Sequence, residues 1–116
     1  MLAVVQTAVQ ASSGLPPPWL LLLVIAPLLE ETVFRAGLHE ALLRRWGHSA
    51  GSVLVINLAV GLAFAFAHLV VRGGGLAALT LLPALVIGFI YQRQRRLAPC
   101  IVMHALFNGV WLTLSS

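Results

Sequence analysis

Four apolar runs, each of roughly 16 to 25 residues, take up most of this 116-residue chain, and as helix each would extend about 24 to 38 Å against a bilayer core of about 30 Å. They run from about Pro18 to Leu43, Gly51 to Val71, Leu76 to Tyr91, and Ala98 to Leu114. In lipid a backbone must satisfy its own hydrogen bonds, and for an open chain only helix does so. The runs therefore predict an all-α fold, a polytopic membrane bundle of about four transmembrane helices. Residues 1–17 read as a weakly apolar N-terminal segment with a Ser/Pro-rich linker, and residues 18–116 as the membrane core. The first eleven residues could form a short interfacial helix. They lack the basic stretch of a signal peptide, so no cleavable targeting segment is expected.

Composition supports the same solvent. Apolar residues make up 60% of the chain and charged residues 9%, against about 25% charged in a typical soluble domain. A soluble chain this short could not hide so much apolar surface. The cations are all arginine, and all but Arg35 cluster between the runs, at Arg44 and Arg45, at Arg72, and at Arg93, Arg95 and Arg96. That distribution describes loops flanking membrane helices, not a basic face, so nucleic acid is excluded as a partner. The first and third loops carry most of the arginine, which puts both in the cytoplasm. Cys100, the one cysteine, excludes an intramolecular disulfide and a cysteine-based metal site, and reads as a buried thiol.

Polar residues interrupt the apolar runs at three places. The first is Glu30-Glu31-Thr32-Val33-Phe34-Arg35. A carboxylate within a membrane helix costs about 2.5–3.5 kcal/mol on insertion scales, so two adjacent ones require a reason. Glu31 and Arg35 stand four apart in the favourable order for an ion pair. Glu30 is turned about 100° away from Glu31 and is the better placed of the two to act as a general base. The second cluster is Phe64 to His68, with Phe64 and His68 on one helix face, and the third is His104 to Asn108, again on one face. Two Glu, two His and one Asn on three helices could converge in one polar pocket. A carboxylate that activates water, with His and Asn donors around an oxyanion, is sufficient for amide hydrolysis. No HExxH zinc motif is written here, although two Glu and two His remain a metal-ligand set by type.

Each cluster also has a bland reading. Glu31 and Arg35 could be a helix-terminal ion pair, His68 an interfacial histidine, and His104 with Asn108 an interhelical hydrogen-bond pair. Phe64 reads as packing. Gly61, Gly88 and Gly109 read as close-packing positions. His39, Glu40 and His48 fall near the first loop and read as solvated. Pro83 is expected to kink its helix. His68 lies close to the second loop, whereas Glu31 and His104 lie further from it. This mismatch in depth predicts that residues 30–45 bend and lie along the interface.

The three clusters EETVFR, FAFAH and HALFN, in that order on successive helices, resemble the CPBP family of intramembrane proteases, also called the Abi or CAAX-protease family, with its motifs EExxxR, FxxxH and HxxxN. The resemblance covers about Leu29 to Val110. It implies an endopeptidase acting on a membrane-anchored protein or peptide within the bilayer. Under it Glu30 activates water with help from His68, His104 and Asn108 form the oxyanion site, and Glu31 with Arg35 orders the first helix. Phe64 and Arg35 then support the site. The family was first described as metal-dependent and is now more often read as glutamate-type, so no cofactor is expected and a metal stays open. Eukaryotic members remove the last three residues of prenylated CAAX proteins. Family members usually carry further helices before the glutamate motif, which raises the expectation of self-association or a partner subunit. Arginine used to the exclusion of lysine, with abundant Ala and Leu, points to a bacterial inner membrane. Two rivals differ in class: a non-enzymatic immunity or scaffold protein or small transporter subunit, and a haem protein ligated by His68 and His104.

Overall fold

The computed structural model describes Gly14 and residues 16–115. The interfacial helix expected over the first eleven residues lies outside the described residues. The described chain is helical, with no strand, and four long helical stretches follow one another through short turns.

The first stretch, α1, runs without a break over residues 18–46. It is α-helical at Pro18–Leu20, π-helical at Leu21–Ile25, α-helical at Ala26–Glu31, π-helical at Thr32–His39 and α-helical at Glu40–Trp46. Pro17 is extended (φ −62°, ψ 155°) and Pro18 sits in the first turn, where the ring pre-sets φ and the missing N–H has no helical partner to lose. Gly47 ends the helix by donating to Leu43 O at 2.8 Å. A Cβ at Gly47 would stand 2.5 Å from that same oxygen, so the stop requires glycine.

Helix α2 spans Ala50–Arg72 and opens with reciprocal caps between Ser49 and Ser52. The Ser52 amide donates to Ser49 Oγ at 3.1 Å, and the Ser49 amide to Ser52 Oγ at 3.1 Å, which satisfies two of the otherwise orphaned amides of the first turn. Gly73 and Gly74 close it with φ of 71° and 79°. A 3₁₀ turn at Gly75–Thr80 then leads into α3, Leu81–Gln94. Pro83 thus falls in the first turn of α3, where proline is tolerated, and not in the helix interior where a kink was expected. Arg95 ends α3 in the left-handed region (φ 54°). Helix α4 spans Leu97–Ser115.

The segment Thr32–His39 packs against α2, α3 and α4. This corrects the expectation that residues 30–45 lie along an interface: the segment is central. The correction has a physical cause. In a pure α-helix a four-residue step drifts by about 40°, so Glu31, Arg35, His39 and Leu43 would fan out around the helix. The wider i→i+5 turn of a π-helix offsets that drift, and these four side chains are all buried, at 0%, 0%, 0% and 5% exposure. His39 is therefore not solvated, and Glu40 is only partly exposed; His48 alone of that group is exposed.

Leu43, Ile56, Val60, Ile87, Tyr91 and Cys100 form the apolar core. Large apolar side chains also cover the outside, among them Leu54, Val55, Phe66, Val70 and Leu114. Two helical stretches, Ala50–Val71 and Leu97–Leu114, are long and apolar enough to cross a membrane. Helix α1 is interrupted by its polar clusters, and α3 has only 14 residues.

Candidate active site

The centre of the molecule is a chain of polar contacts joining three helices. Glu31 and Arg35 in α1 form an ion pair, Oε1 to Nε at 3.2 Å, with both side chains fully buried. Arg35 Nη2 also donates to Ala84 O of α3 at 2.9 Å. The other oxygen of Glu31, Oε2, stands 2.6 Å from His104 Nδ1 of α4. A carboxylate held by a guanidinium accepts here, so the Nδ1 proton of His104 points to Glu31 and its Nε2 is turned the other way.

On that other side lies Glu30. Its Oε2 is 3.8 Å from His104 Nε2 and 3.4 Å from His68 Nε2. His68 Nδ1 donates to Phe64 O at 2.8 Å, and a carbonyl can only accept, so this ring also carries its proton on the far nitrogen. Two imidazoles therefore turn their Nε2 atoms toward one carboxylate oxygen. That oxygen is buried and has no hydrogen bond among the described residues. Glu30 Oε2 and the Nε2 of His104, both acceptors in this arrangement, require a proton or a donor between them.

Phe64 fixes both rings. It is buried, tilted against His68 with centroids 4.3 Å apart and edge-on to His104 at 5.7 Å and to Phe34 at 5.0 Å. The Arg35 guanidinium carbon lies 5.9 Å over its ring. Phe64 packs, as the sequence suggested, but against the chemical groups themselves.

Asn108 is placed differently. Its Nδ2 donates to Leu22 O at 2.7 Å. Leu22 belongs to the first π-helical segment of α1, so Asn108 ties α4 to α1 one end away from Glu30. This is the interhelical bond that the bland reading of Asn108 expected.

The donor set can be tested against a metal. Among the described residues no three His, Cys, Asp or Glu side chains are grouped to hold a metal ion. One nitrogen of each imidazole is already committed, to Glu31 and to Phe64 O. Bonds of this kind orient an imidazole and leave its Nε2 open.

A second polar group lies at the far end of α1, outside the two span-length helices. Glu40 Oε1 accepts from Tyr91 Oη at 2.6 Å and from Arg95 Nε at 2.8 Å. Its Oε2 accepts from Arg44 Nε at 2.8 Å and from Arg95 Nη2. The hydrogen bond from Arg95 is the main reason the Glu40 carboxyl is held down at about 2; Tyr91 and Arg44 add to it and partial burial opposes it. The same bond raises Arg95. Reading the sequence missed this group. Glu40 and Arg44 stand four apart, the signal that did identify Glu31 with Arg35. His39 was missed for a related reason: it continues the four-residue spacing of Glu31 and Arg35.

An all-helical protein with a buried carboxylate–histidine cluster at its centre defines the class. The family model for type II CAAX prenyl endopeptidase Rce1-like matches residues 12–110, and the chain belongs to that family. No curated protein and no solved structure matches the chain.

Proposed function

We propose that the chain is an intramembrane endopeptidase that hydrolyses a peptide bond of a membrane-anchored protein, with Glu30 as the base that activates water. The observation that carries the reading is the convergence of His68 Nε2 and His104 Nε2 on Glu30 Oε2, at 3.4 and 3.8 Å. Family membership supports a CAAX-protease type of activity. The exposed apolar side chains and the two span-length helices support a membrane setting, with all four helical stretches forming one bundle in it. The arginine-bearing turns at 44–45 and 93–96 then face the cytoplasm, and a bacterial inner membrane is the expected location.

The chemistry follows from the positions. Glu30 takes a proton from water, and the water oxygen attacks the carbonyl carbon of the substrate. The carbonyl oxygen becomes an oxyanion. The proton taken from water is shared between Glu30 and His104 Nε2, where the Glu31 carboxylate 2.6 Å from Nδ1 stabilises the positive ring, so that Nε2 can donate to the oxyanion before the same proton passes back through Glu30. His68, anchored by Phe64 O, orients the water and shares its proton. Glu30 returns a proton to the leaving amine as the C–N bond breaks, which leaves the enzyme unchanged. Asn108 contributes by holding α1 against α4 through Leu22 O. Glu31 and Arg35 position rather than react. The haem reading loses ground because both Nε2 atoms are turned on the same carboxylate.

The substrate class is testable directly. Purified protein in liposomes is given prenylated peptides with and without a C-terminal CAAX sequence, and the cut bond is read by mass spectrometry. Release of a C-terminal tripeptide from the CAAX peptide supports the reading in full. Cleavage at another site of a membrane-anchored peptide keeps the protease and changes the substrate. No cleavage of either by folded protein rejects the protease and favours the non-enzymatic rival.

A further inference from the structure

Between the central cluster and the Glu40 group runs a line of buried polar atoms that the proposed chemistry does not use. His39 is fully buried, and beyond a loose contact with the Gln92 side chain its ring nitrogens make no well-formed hydrogen bond among the described residues. Asn57 Oδ1 of α2, Gln92 Oε1 of α3 and Arg35 Nη1 are likewise buried without a well-formed hydrogen bond among the described residues. These atoms lie together. A Cβ on Gly88 would stand 1.9 Å from Asn57 Oδ1 and 3.2 Å from His39 Cε1. Gly88 therefore lets both side chains close onto the α3 backbone. Asn57 Nδ2 donates to Leu85 O at 3.1 Å, which aims its oxygen at the same space. The Gln92 side chain faces His39. At the far end the Tyr91 ring lies tilted beside His39, centroids 5.4 Å apart, and its hydroxyl donates to Glu40.

The positions form a seam. On α1 they are Arg35, His39 and Glu40; on α3 they are Ala84, Gly88, Tyr91, Gln92 and the capping Arg95. The α3 side covers about 16 Å of helix rise, one end at the Arg35–Glu31 pair and the other at the exposed arginines. Leaving so many buried polar atoms unpaired is unfavourable, and native interiors avoid it. The set mixes acceptors (Asn57 Oδ1, Gln92 Oε1, one His39 nitrogen) with donors (Arg35 Nη1, the other His39 nitrogen). A neutral molecule that both donates and accepts matches it, whereas an anion would meet the two amide oxygens. Water is that molecule, and buried waters typically make about three such bonds.

We propose that this seam is a hydration site, a file of water held by His39, Asn57 and Gln92 that connects the Glu40–Tyr91–Arg95 end to the Glu31–Arg35 pair. Building on the endopeptidase reading, it supplies the reaction with water and exchanges protons across the apolar interior. His39 is then a positioning residue for water, not a catalytic one.

Two arms test it in full-length protein in liposomes. The first does not depend on activity. In a Cys100→Ser background, the thiol of Asn57→Cys is challenged with a small charged methanethiosulfonate, and the wild-type Cys100 thiol, fully buried in the apolar core, is the control. Reaction about tenfold or more faster than the control supports a hydrated seam, since thiol reactivity requires access and thiolate character; reaction no faster than the control overturns it. The second arm measures kcat and KM for His39→Leu, Gln92→Leu and His39→Gln. The two leucine variants are expected to lose kcat about tenfold with KM within about twofold, and His39→Gln to recover most of it. Leucine variants that keep the wild-type kcat overturn the relay. If wild type cleaves nothing, the endopeptidase reading falls and the thiol arm still decides the hydration.

Discussion

Arg35→Met tests how the centre of the fold is held. Glu31 and Arg35 both have side chains at 0% exposure and pair at 3.2 Å. Arg35 also supplies a hydrogen bond to Ala84 O at 2.9 Å. Methionine keeps much of the volume against Phe64 but leaves Glu31 as a buried charge with less compensation. Breaking a buried pair from one side costs about 3–5 kcal/mol, mostly through the charge left behind. Removing both charges should be far milder, so Glu31→Gln combined with Arg35→Met is expected to recover all but about 1–2 kcal/mol. The amide oxygen of the glutamine can still accept from His104 Nδ1. The assay is built into the chain. Cys100 is its one cysteine and is fully buried, so a thiol-reactive dye in detergent reports unfolding from a single site. The expected fall in midpoint for Arg35→Met is on the order of 10 °C or more. A single variant within about 0.5 kcal/mol of wild type, or a double variant no better than the single, would refute the buried-pair account.

Three further outcomes follow from the geometry. Gly88→Ala should destabilise by about 1–3 kcal/mol through overpacking, because its methyl would fall 1.9 Å from Asn57 Oδ1; adding Asn57→Ala should restore part of the loss in the same dye assay. Asn108→Ala should cost about 0.5–2 kcal/mol by removing an interhelical hydrogen bond, and if Asn108 acts as a tie rather than an oxyanion donor, kcat should fall by less than about tenfold. Glu40 is held at about 2 in the fold, below its unfolded value near 4.5, so its contribution is complete above about pH 4.5 and is lost as pH falls toward 2. Since its arginine partners Arg44 and Arg95 are 78% and 46% exposed, that contribution is about 1 kcal/mol, and Glu40→Gln should flatten the acid limb of a melting-point profile.

The helices were legible because apolar length and breaker residues are local properties. Pro16 to Pro18, Gly47, Ser49 and the glycines at 73–75 mark their own turns. The convergence of Glu30, Glu31, His68 and His104 was also foreseeable, since each sits in an apolar run where a polar group needs a partner. The path of α1 was not. Their place near the first loop makes His39 and Glu40 read as solvated, whereas the π-helical turn at Thr32–His39 carries His39 inward with Glu31 and Arg35. That turn arises from packing against three other helices, which no single stretch of sequence encodes. Asn108 shows the same limit. Its spacing from His104 fixes a shared face, but its bond to Leu22 O depends on how α1 passes α4. Gly88 likewise reads as a close-packing position, yet only the fold reveals that the neighbours are Asn57 and His39.

The most direct test of the central claim is the rate at which purified protein in liposomes cleaves a membrane-anchored peptide, compared between wild type and Glu30→Gln, each with and without a chelator. The account predicts cleavage by wild type that survives the chelator, and a loss of at least about 10²–10⁴-fold in Glu30→Gln, the usual worth of a general base. Cleavage retained by Glu30→Gln, or abolished in wild type by the chelator, would contradict it.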